Sequence, residues 1–93
     1  MSIAEVRGDL VEVNRQLGEF TARLAAIDHE MSATQRIANG VLDTTGHEIA
    51  MSALESLAGS FAALHDTLGG IRMAREKFAD YIEHLGRLGG GRA

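Results

Sequence analysis

Six residues near the middle of the chain, "DTTGHE" at 43–48, hold two acids, two hydroxyls and an imidazole. Two chemistries use such a set. Asp43, Thr44 or Thr45, and His47 are the residue types of a nucleophilic hydrolase, in which a histidine activates a hydroxyl and a carboxylate orients the histidine. Such a triad also needs a rigid frame and donors aimed at an oxyanion, which the tip of a helical turn does not supply. "HEIAM" at 47–51 differs by one residue from the HExxH zinc pattern, with Met51 where the second histidine would stand. Zinc takes at least three protein ligands held together. His29, His65 and His84 would have to complete the set, and the helix register derived below brings none of them to His47. A metal-dependent or hydrolytic enzyme built on the 43–48 turn is thus the alternative reading. The preferred one assigns no catalytic, metal or cofactor residue and casts His47 and Glu48 as part of a helix start.

The elements that flank the turn follow from hydrophobic period. From Ile3 to Val41 the apolar residues recur at spacings of three and four. Ile3, Leu10, Leu17, Leu24, Met31 and Ala38 occupy heptad position a; Val6, Val13, Phe20, Ile27, Thr34 and Val41 occupy d. A second ladder runs Ala50, Leu54, Leu57, Phe61, Leu64, Leu68, Ile71, Arg75, Phe78, Ile82 and Leu85. A repeat sustained over this many heptads marks a narrow packing seam on a long helix. "SIAE" at 2–5 and "TGHE" at 45–48 are Ser/Thr-x-x-Glu capping boxes, with Ser2 and Thr45 as N-caps. Gly40 suits the left-handed residue that ends a helix. The expected boundaries are helix 1 over about 3–39, a turn over 40–45, helix 2 over about 46–86 and a flexible tail at 87–93. Gly69-Gly70 lies inside the second helix, where a locally soft or kinked helix is expected because glycine is a weak helix former, with a true break into three helices as the alternative.

A short connection favours antiparallel neighbours. Folding the chain about residue 44 brings each a residue of helix 1 to a d residue of helix 2. The pairs then include Ile3 with Leu85, Leu10 with Phe78, Leu17 with Ile71, Leu24 with Leu64 and Met31 with Leu57. Arg75 falls opposite Val13, from where it is expected to reach Glu12 or Glu76. The fold class is therefore all-α: an antiparallel, coiled-coil-like two-helix hairpin.

Composition narrows the function. The 93 residues contain no cysteine and no proline, 45% are apolar, and the net charge is −4. Without cysteine there are neither disulfides nor thiolate metal sites. Scattered basic residues on an acidic chain argue against nucleic-acid binding, and Arg72, Arg75 and Lys77 give a regulatory DNA-binding reading only weak support. No apolar run approaches the roughly 20 residues of a membrane span, and without a basic-then-apolar pattern at the N-terminus no cleavable signal peptide is expected. The protein is expected in the cytoplasm as synthesised.

The flanks of helix 2 are the informative departure. Its e and g positions are Met51, Ala53, Ala58, Ser60, His65, Thr67, Arg72, Ala74, Ala79 and Tyr81, and "IAMSALESLAGSFAAL" at 49–64 carries one charge, Glu55. A two-helix seam leaves such a face wet, so a further helix is expected to cover it. The expected interface comprises Met51, Ala53, Ala58, Phe61, Ala62, Ala74, Ala79 and Tyr81. It would form a four-helix bundle in a homodimer or in a heterodimer with a related helical protein.

Two long amphipathic helices joined by a glycine-containing turn, "ANG" at 38–40 and "TTG" at 44–46, followed by a glycine-rich tail, resemble the WXG-motif (ESX-like) helical hairpins of type VII secretion. The similarity spans nearly the whole chain. This sequence has no tryptophan for the Trp-x-Gly turn, and Leu85 stands four residues after Tyr81, where that family carries an acid. The resemblance implies a dimerising hairpin that acts without chemistry, as a substrate of a secretion system or as an accessory partner. It also implies export without a cleavable signal peptide.

Overall fold

The computed structural model describes residues 2–42, 44 and 46–89. They form two helices, α1 (Ile3–Leu42) and α2 (Glu48–Gly89), packed against each other as an all-α hairpin. The helices are 40 and 42 residues long, and no membrane-crossing helix occurs among the described residues.

Ser2 starts α1 as its type predicts. Its Oγ accepts the Glu5 N–H at 3.0 Å and its carbonyl accepts the Val6 N–H at 3.1 Å, which occupies two donors the first turn leaves free. The start of α2 differs from expectation. His47 is the capping residue: its carbonyl accepts the Met51 N–H at 2.9 Å, and its ring Nδ1 accepts the Ile49 N–H at 3.1 Å. Glu48 is then the first helical residue, where its carboxylate suits the positive end of the helix dipole. The expected N-cap, Thr45, and its neighbour Asp43 lie outside the described residues. α1 runs through Gly40 to Leu42, and the left-handed glycine is Gly46, with φ of 62°. At the other end, residues 87–89 continue α2, which also passes unbroken through Gly69-Gly70.

The chain clusters into two compact units, one of Met1–Ala22 with Gly69–Ala93 and one of Arg23–Leu68. In the first unit, Leu85 is buried, and glycines receive long side chains from the opposite helix. A Cβ on Gly18 would lie 2.9 Å from Arg75 Nη2, one on Gly86 3.1 Å from Arg7 Nε, and one on Gly89 2.9 Å from Ile3 Cγ2. Arg7 Nε also donates to the Ile82 carbonyl at 3.2 Å. Ile3 thus reaches residue 89, and Arg75 covers Gly18. The pairing is displaced by about one helical turn from the expected one.

In the second unit, Leu68 is buried, and Asp28 Oδ1 lies 3.3 Å from His65 Nδ1. That contact lacks hydrogen-bond geometry, so Oδ1 has no hydrogen-bond partner, and the pair is ionic only when the imidazole is protonated. Both units turn the same columns of α1 inward. Leu10, Asn14, Leu17 and Thr21 in the first, and Leu24, Asp28, Met31, Gln35, Ala38 and Leu42 in the second, are half-buried. These are heptad positions a and e. Of the expected d residues, Val13, Phe20, Ile27, Thr34 and Val41 are exposed, and Val6 in the first turns is half-buried. Replacing d by e rotates the packed face of α1 by about 50°, given 100° per residue.

Candidate partner interface

α2 keeps its expected seam: Ala50, Leu54, Leu57, Phe61 and Leu64 in the second unit, and Ile71, Arg75, Phe78 and Ile82 in the first, are at least half-buried. The flank follows from that. In the second unit, Met51, Ala53, Ala58 and Ala62 are exposed, whereas Phe61 sits in the seam with its ring edge-on to His65 at 5.2 Å. In the first unit, Ala79 and Tyr81 are exposed, Tyr81 stacking on His84 at 6.2 Å, and Ala74 is half-buried. Six of the eight residues expected at the interface therefore face outward, and Phe61 and Ala74 belong partly to the seam.

Sequence reasoning missed the apolar face of α1. Rotation of that helix exposes Val13 and Phe20 in the first unit and Ile27 and Val41 in the second, the last at 65%. Ile37 (68%) and Ile49 (74%) add to the second unit's exposed apolar surface. A signal for the rotation exists in the sequence. Arg75 is a long cation at a core position, and Gly18 is the one residue without a side chain at a nearby height on α1, so size complementarity pairs the two. The e column of α1 is also uncharged apart from Asp28 between residues 14 and 42, which tolerates partial burial better than a column of lysines would.

The polar groups in the seam are incompletely satisfied. Thr21 returns its hydroxyl to the Leu17 carbonyl at 2.8 Å. Asn14 Oδ1 and Arg75 Nε are buried without hydrogen-bond partners. Glu12, expected to meet Arg75, binds Arg15 at 2.6 Å instead, and Glu19 takes the other side of the same guanidinium. The Arg15 hydrogen bond, helped by one from Gln16, holds the Glu12 carboxyl down at about 2, and Arg15 itself is raised, first by Glu12. Both groups are exposed, so this cluster ties the surface of α1 together without burying charge.

The turn shows a structural use for its most reactive residue, because His47 Nδ1 is occupied as the cap of α2. No group of three His, Asp or Glu side chains converges among the described residues. A shallow cleft of about 560 Å³ runs along Glu48, Ile49, Ser52, Ala53 and Ser56, on the outer surface of the first turns of α2.

No family model, curated protein or solved structure matches the chain.

Proposed function

We propose that this protein is a non-enzymatic interaction module that binds a second helical protein, its own copy or a related hairpin, by completing a helical bundle. The observation that carries this reading is the shortage of core. Among the described residues only Leu68 and Leu85 are buried, α1 buries none, and twelve large apolar side chains are exposed. The accessible surface is 6656 Å², against about 5,200 Å² expected for a folded monomer of this mass. Covering apolar surface releases about 25 cal/mol per Å², so a partner helix laid on these faces supplies the burial that two helices alone cannot. The hairpin architecture also supports a role like that of the WXG-motif hairpins, as a substrate or accessory partner of a type VII secretion system.

Sedimentation of the purified chain tests the reading. Dimers or larger species, or a stable complex with a helical partner recovered from the native host, are expected. A chain that stays at 9.9 kDa at the highest attainable concentration and recovers no such partner overturns it.

A further inference from the structure

Asp28 is the one charged side chain of α1 in the second unit that is not exposed. Its carboxylate keeps 20% of its surface, and Oδ1 is buried without a hydrogen-bond donor. In the unfolded chain water solvates both oxygens, so this burial weighs against the folded state unless a positive charge answers it. The group across the seam that can supply one is His65 of α2, whose Nδ1 stands 3.3 Å from Oδ1. Phe61, one turn earlier on α2, lies edge-on to the imidazole at 5.2 Å and braces it from within the seam. The His65 side chain is 57% exposed, so protons reach it from solvent without any opening of the hairpin.

The other charged or titratable groups nearby act more weakly. Within about one and a half turns of the pair, α1 carries Arg23, His29 and Glu30, and α2 carries Asp66. All four are exposed, where solvent and salt screen their effect on His65. Glu30 and Asp66 favour a positive imidazole, whereas Arg23 and a protonated His29 oppose it, so their signs largely offset. Asp28, in contact and partly shielded from water, dominates.

We infer that His65 and Asp28 form an acid-closed clasp: uptake of a proton by His65 ties α2 to α1 within the second unit, and its loss releases the tie. The direction follows from linkage. Beside a carboxylate the folded chain holds that proton more tightly than the unfolded chain does, so acid favours the folded state. The contribution is complete below the value of a free imidazole, about 6.5, and is lost as the pH rises above it. Ordinary carboxylates stay ionised in that range, since they titrate near about 4. The clasp lies inside one unit and does not depend on the bundle-forming function proposed above.

A double-mutant cycle on the full-length chain tests it. Wild type, Asp28→Asn, His65→Gln and the double variant are unfolded in urea at one protein concentration, at about pH 5.5 and about pH 8. The cycle cancels whatever His29, His47 and His84 contribute, because all four proteins share them. At the lower pH the two substitutions are expected to be coupled by about threefold in the unfolding equilibrium constant, as for a partly exposed ion pair. At the higher pH the coupling should vanish, and about 1 M salt should shrink it at the lower pH. If one single variant does not fold, wild type against the other carries the test: between the two pH values the unfolding constant of wild type should rise about threefold more. Coupling of equal size at both pH values would mean a contact indifferent to the proton and overturn the inference. Its absence at both would do the same.

Discussion

Arg75 is buried in part with Nε unpartnered, and its guanidinium rests on Gly18 where any side chain would collide. A buried donor without an acceptor costs about 1–3 kcal/mol, and an apolar residue of similar length leaves nothing unsatisfied. Arg75→Met is therefore expected to raise stability by about 1 kcal/mol, read as a higher urea midpoint at unchanged slope. Glu12 is the opposite case, an exposed carboxylate held ionised by Arg15. Its ordinary value of 4.5 falls to about 2, so its contribution is present above pH 4.5 and disappears as pH drops toward 2. An NMR titration should place the Glu12 midpoint near 2 and return it toward 4.5 in Arg15→Gln. These two residues also show what is legible at this scale. The Ser2 cap could be read from "SIAE", because a cap acts within four residues. Arg75 could be read as anomalous, but its neighbour on the other helix could not.

For the helices, period and phase behave differently. Seven-residue spacing marks α1 as a seam-forming helix, and it does so equally well whether positions a and d or a and e face α2. Leu24 is in the seam on either choice, whereas Ile27 is exposed on the observed one. Leu24→Ala is expected to cost about 2 kcal/mol and Ile27→Ala less than about 1 kcal/mol, since only the first leaves a cavity. Equal losses in chemical denaturation would restore the a/d face. The ends of the helices moved for local reasons. Gly40 lies within α1 and the left-handed conformation falls at Gly46, so Gly46→Ala should lower stability by about 1–2 kcal/mol. Gly59→Ala, in the open interior of α2, should raise it by about 1 kcal/mol in the same denaturation series.

At the scale of the molecule, the balance is between a long seam and a thin core. Two helices of about 40 residues bury few side chains fully, so folding and association are linked. A species that binds only the folded state raises the melting temperature in proportion to the logarithm of its concentration. The thermal midpoint is expected to rise by several degrees over a hundredfold increase in protein concentration. A constant midpoint would mean that the hairpin is stable without a partner.

Composition, a doubled heptad ladder and one central turn were enough to determine an all-α hairpin, because helix period and capping are encoded over a few neighbouring residues. Only the tertiary structure decided which columns of α1 face α2 and at what height. Those choices depend on pairs far apart in sequence, Arg75 over Gly18 and Arg7 over Gly86 in one unit and Asp28 beside His65 in the other. Steric fit between two helices is a property of the pair. Neither ladder contains it alone, so the apolar column left on the outside of α1 emerges only when the two are packed.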